Sequence, residues 1–170
     1  WDYEVEELPT WNARKSTTQF EVSTANAVIR IEKKTGALYF FDKKGKLLLK
    51  EDSKVQRQIE AGSNLFQIWN FFEWQKTEKI YAKGILDDDR ERLNGKARYI
   101  SFGGKQLRMP LLLSDKGYGL GIAAEQNVIF CDIPKYGQYI YTDCMKQLDD
   151  YFMYGGNEKE IIDAYKNLKR

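Results

Sequence analysis

Apolar and polar residues alternate along most of this chain in short runs cut by turn residues, a pattern of antiparallel strands rather than helices. TTQFEVST and NAVIRIE come first, followed by ALYFFD after the turn KKTG and KLLLKE after the turn KKGK. Glycine-containing turns of this length let consecutive strands pair directly, so the opening reads as a meander. Further strands are predicted at VQRQIEA, LFQIWNFFEW, ARYISFG, QLRMPLLLSD, YGLGIAA, NVIFCDI, GQYIYTD and the run ending in DDYFMYGG. Pro110 has no N–H to give a ladder, which places it at an edge, a bulge or a strand entrance. The charged stretch LDDDRERLNGK, residues 86 to 96, reads as a loop with Asn94-Gly95 as its turn.

LFQIWNFFEW is the most aromatic of these runs. As a strand it puts Phe66, Ile68, Asn70 and Phe72 on one face and Gln67, Trp69, Phe71 and Glu73 on the other. Both faces carry large rings, so the strand is expected to lie between two layers. Helical spacing appears once, at the end. Asn157 and Glu160 form a variant of a capping pair, and Ile161, Ile162, Tyr165 and Leu168 recur on one helical face. Lys166, Lys169 and Arg170 complement the helix dipole.

A chain of 170 residues suits one domain. Its 27 basic and 25 acidic residues are interleaved, and a net charge of +2 gives no field of one sign for a polyanion. No nucleic-acid partner is expected. No run of about 18 apolar residues is present, so no membrane partner is expected either. The start WDYEVEELP lacks a signal peptide's basic and apolar regions, so any cleaved leader would lie upstream of residue 1, and the compartment stays open. Cys131 and Cys144 fall in neighbouring predicted strands and read as two small apolar side chains, a bridge between them being the less favoured alternative.

The absence of histidine excludes Ser-His-Asp and Cys-His mechanisms and every imidazole metal site. GYGLG, residues 117 to 121, opens a strand where a phosphate loop would open a helix, and reads as a hairpin turn running into that strand. Carboxylate pairs are the remaining route to catalysis, as in glycoside hydrolysis. Asp87, Asp88 and Asp89 form a run suited to a solvated turn. Asp149 and Asp150 adjoin on a strand and so point to opposite faces. No catalytic residue, metal or cofactor is assigned.

Four segments taken in order resemble the N-terminal β-sandwich of glycoside hydrolase family 31, the retaining α-glucosidases and α-xylosidases. VIRIEKKTGALYFFDKKGKLLLKE resembles that family's opening strand pair. EKIYAKGILDDDRERLNGK resembles its Tyr-Gly-Leu-Gly segment, MPLLLSDKGYGLGI its Ile-Pro-Phe run with Lys-Gly-Tyr-Gly, and LDDYFMYGGNEKEIIDAYKNLKR its closing strand, turn and helix. The resemblance spans roughly residues 20 to 170 and implies an all-β chain: an antiparallel, galactose mutarotase-like supersandwich over residues 1–156, then a helix over 157–170 leading to a (β/α)8 barrel. That barrel would carry the two catalytic aspartates. The chain alone would then be noncatalytic, with the C-terminal barrel and, in the intact enzyme, an α-linked glycoside as its partners.

The resemblance also implies that the loop GGKQLRMP reaches over the barrel mouth, with Lys105 and Gln106 at its tip as substrate-binding residues. Relatives commonly show an Asn-Thr-acidic triplet there, and Ala82, Lys83 and Ile85 likewise depart from the usual types, so no sugar specificity carries across. A free-standing carbohydrate-binding module is the alternative, with Trp69, Trp74 and Tyr81 as an exposed aromatic row. A mutarotase is disfavoured by the missing histidine. An interface to a barrel further predicts an exposed apolar patch near the C-terminal helix.

Overall fold

The computed structural model describes residues 4–5, 9–52, 56–59, 64–83, 91–102, 109–124, 126–146 and 149–169. Its elements follow the chain as β1 (Glu4–Val5), β2 (Asn12–Lys15), β3 (Gln19–Ser23), β4 (Ala27–Glu32), β5 (Leu38–Asp42), β6 (Leu47–Glu51), β7 (Gln56–Ile59) and β8 (Phe66–Glu73). Then come β9 (Ile80–Lys83), β10 (Ala97–Ser101), β11 (Leu111–Ser114), β12 (Tyr118–Ala123), β13 (Val128–Ile133), β14 (Gly137–Met145), β15 (Asp149–Tyr154), the helix α1 (Glu158–Lys166) and β16 (Leu168–Lys169). The antiparallel strands and single short helix are those that the residue pattern predicts, and their arrangement as a sandwich is the one that the family resemblance implies.

Two antiparallel sheets face each other. The large sheet runs in the order β10-β13-β14-β8-β6-β5-β4-β3-β2, with β7 also pairing β8; the small sheet runs β15-β12-β11-β9. In the large sheet, β3 to β6 are the predicted meander, turned at Gly36 and Gly45, whose φ values of 79° and 80° suit glycine. Pro110 stands immediately before β11, at a strand entrance, and its carbonyl accepts from the Ile122 N–H. Between the sheets lie Leu48, Leu49, Phe72, Ile100, Leu120, Ile122, Val128, Phe130 and Ile140. Phe40 stacks on Phe152 at 4.2 Å, and Trp74 on Phe130 at 4.7 Å, so the ring contacts cross from sheet to sheet as well as along one. Burying each such side chain contributes about 1.5–3 kcal/mol.

A carboxylate sits inside this core without being a liability. Glu78 is 1% exposed, and its Oε1 accepts from Ser114 Oγ and Tyr118 OH, each at 2.5 Å, while Oε2 accepts from the Gln75 N–H at 3.0 Å. Three donors satisfy it, as a buried charge requires. Burial, with the Glu78 charge beside it, pushes the Tyr118 phenol far above its ordinary range.

The helix covers the outer face of the small sheet. Asn157 Oδ1 accepts from the Glu160 N–H at 3.0 Å, which is the predicted cap. Ile161 packs on Leu111, Leu113 and Met153, with Tyr165 and Leu168 at the margin, and Tyr165 OH donates to the Met109 carbonyl at 2.6 Å. GYGLG makes this contact possible. A Cβ on Gly119 would lie 2.5 Å from Ile161 Cγ2, and one on Gly121 2.9 Å from Met109 Sδ. Ile162 stands outside the cluster. The helix also ends sooner than its apolar stripe predicts: Leu168 belongs to β16, which pairs β1. Cys131 is a free, buried thiol, as the non-bridged reading has it.

Candidate functional site

β8 divides the outer face of the large sheet into two unlike halves. Toward β2, directly opposed residues form one row across six strands: Arg14, Glu21, Arg30, Tyr39, Lys50 and Glu73. Arg30 Nε reaches Glu21 Oε2 at 2.9 Å, Lys50 pairs with Glu73, and the two cations lie over the Phe41 and Tyr39 rings at 4.7 and 5.7 Å. Opposite charges alternate across the strands, an arrangement at ease in water.

Toward β10 the same face is aromatic. One row reads Tyr99, Ile129, Tyr141, Trp69, and the next holds Tyr139 opposite Phe71. The alternation that puts Phe130 and Ile140 in the core turns these residues outward. Trp69 and Tyr141 approach at 4.9 Å, Phe71 and Tyr139 at 5.5 Å, and Tyr99 stacks on Phe102 at 5.3 Å. Tyr99 and Phe102 are 48% and 46% exposed. Gly137, at φ 99°, turns the chain at the edge of this field beside the Phe71 ring. Partial burial pushes the Tyr139 phenol up to about 12, with the adjacent Cys131 thiol and Tyr136 adding to the effect. Tyr139 therefore stays neutral through the physiological range, and the rings around it make an amphipathic surface.

Expectations from the residue pattern meet this geometry unevenly. β8 does alternate as predicted, with Ile68, Asn70 and Phe72 buried and Trp69 and Phe71 on the other side. Its second layer, however, is absent among the described residues, because β9, β11, β12 and β15 cover only the inner face. The aromatic row of Trp69, Trp74 and Tyr81 does not form. Trp74 is buried in the core, and Tyr81 opposes Leu113 on the small sheet. An exposed apolar patch near the C-terminal helix is not found among the described residues either: the helix spends its apolar face on its own sheet, and the exposed rings are elsewhere. Tyr99, Tyr139 and Tyr141 were readable as odd-numbered positions of ARYIS and GQYIYTD, but no sequence signal distinguishes an uncovered face from a buried one. Lys105 and Gln106 lie outside the described residues, as do Asp87, Asp88 and Asp89. Asp150 turns inward, toward Asn70 of the large sheet.

This sandwich has the fold of the β-rich portion of glycoside hydrolase family 31 enzymes. An α-xylosidase of that family from a soil metagenome, solved with xylose, aligns at a TM-score of 0.79 and 19% identity over 98% of this chain and 28% of its own. A family 31 dextranase of Flavobacterium johnsoniae, with glucose, gives 0.71 and 20% over 93% and 20%. The cycloalternan-forming enzyme of Listeria monocytogenes, with a pentasaccharide substrate, gives 0.75 and 18% over 95% and 18%. The chain thus spans only 18–28% of these three enzymes. No sequence-family model matches it.

Proposed function

We propose that this chain is the noncatalytic N-terminal domain of a retaining α-glycosidase of the family 31 type, and that the aromatic half of its large sheet is the face on which the catalytic barrel packs. The observation that carries the reading is the alignment of nearly the whole chain with a small part of much larger family 31 enzymes. The uncovered rings supply its physical complement: a contiguous aromatic face on a folded domain marks an interaction surface. Tyr99 and Phe102 sit at the rim where the chain enters residues 103–108, the segment that the resemblance places over the barrel mouth. In this proposal Lys105 and Gln106 rim the sugar pocket, and two aspartates of the barrel carry out double displacement through a glycosyl intermediate on an α-linked glycoside.

The coding region after residue 170 tests the proposal. A (β/α)8 barrel with aspartates at its strand ends is the expected result, and a stop codon there would replace the reading with a free-standing binding module. The chain alone should leave an aryl α-glucoside unhydrolysed; turnover above the buffer rate would overturn the noncatalytic role.

A further inference from the structure

At the corner where β6, β8 and β15 meet, two carboxyl groups from opposite sheets approach one buried amide. Glu51 opposes Leu38 and Phe72 on the inner face of the large sheet. Asp150 opposes Ile122 on the inner face of the small sheet. Both therefore point into the gap between the layers, with apolar side chains beside them. Asn70, 5% exposed, stands between: its Nδ2 donates to Asp150 Oδ2 at 3.4 Å, and its amide also bonds Glu51. No salt bridge reaches Glu51 or Asp150 among the described residues, and the charge that acts on Asp150 from its own strand is Asp149, another carboxylate.

Two half-buried anions with no counter-charge among the described residues repel each other and lose part of their hydration. Asn70 Oδ1 is buried without a donor. A single proton on the pair answers both problems, because it halves the charge and turns one carboxylate into a donor for that amide oxygen. We propose that Glu51 and Asp150 hold one proton in common across the gap, seated on the Asn70 carboxamide, and that its loss loosens this corner of the sandwich, making it a pH-operated latch between the sheets.

The titration behaviour agrees. Burial, and then the Asp150 charge, raises the Glu51 carboxyl to about 7; burial, and then Asp149, raises Asp150 to about 6, while Asn70 opposes both shifts. A carboxyl whose pKa is higher folded than unfolded binds more protons in the native state. Its stabilising contribution is therefore complete below the ordinary carboxylate range and is lost as pH rises toward 7.

The test is the melting temperature of the 170-residue chain between about pH 5 and pH 8, together with carbon-detected titration of the two carboxyls by NMR. The wild type should melt roughly 5–10 °C lower at the alkaline end. Glu51→Gln should remove the part of that slope which Glu51 carries, about half, and Asp150→Asn should remove a similar part should the first variant fold poorly. Two linked titration steps near neutrality support the latch. Carboxyl midpoints both in the ordinary range, or an unchanged slope in a folded Glu51→Gln, would overturn it. So would millimolar calcium restoring the alkaline melting temperature of the wild type but not of Glu51→Gln, since a cation and not a proton would then join the sheets.

Discussion

The two halves of the large sheet share one backbone surface and present opposite chemistry on it. From β2 to β6 the outer face carries an alternating row of charges over aromatic rings, and from β8 to β10 it is mainly aromatic, with Ile129 set among the rings. A third face, the outside of the small sheet, is as apolar as the second but has its own cover in α1. The chain thus shows two ways of finishing an outer face, hydration and a built-in helix, and among the described residues leaves one face with neither. That contrast locates the surface where a partner belongs more sharply than any single exposed residue does.

The same truncation on either side of the aromatic half should separate roofed from unroofed positions most strongly. Ile140→Ala, in the core, is expected to cost about 2–5 kcal/mol in urea denaturation. Ile129→Ala, on the adjoining strand but facing outward, should cost under about 1 kcal/mol in the isolated chain. Equal losses would mean that the outward face is already covered.

A smaller effect should appear in association. With the catalytic domain supplied separately, Trp69→Ala should weaken binding by about tenfold or more, as buried aromatic anchors do. Charge reversal at Arg14, across the divide, should leave calorimetric affinity nearly unchanged; matched losses at both positions would erase the distinction between the two halves. The smallest effect is expected within the charged row. Because Arg30 is 42% exposed, Glu21→Gln should cost only about 0.2–1 kcal/mol, and the difference should shrink further in 1 M salt.

Local signals carried much of this fold in readable form. The alternation of LFQIWNFFEW assigns the buried and outward residues of β8 correctly, since the period of a strand is a property of its own backbone. The Asn157 cap was equally visible, because its bond spans three residues. What lay beyond the sequence depended on contacts between distant segments. Nothing near Trp69 says whether a second layer covers it, and nothing near Trp74 says that Phe130 will stack against it. Leu168 follows the helical spacing yet enters a strand, because its partner Val5 comes from the other end of the chain. The meeting of Glu51 with Asp150 likewise depends on how two sheets are laid together. Lys105 and Gln106 rest on the family resemblance alone.

The pairing of β1 with β16 has a mechanical consequence. Glu4 opposes Lys169 and Val5 opposes Leu168, so the incoming and outgoing chain directions run antiparallel with their outer ends together. Tension on the flanking stretches would act on this ladder in peeling geometry, parting its bonds in succession rather than loading them at once. The clasp yields first, and only then does the load reach the sandwich behind it, like a tear-off tab that gives way before the sheet it is attached to.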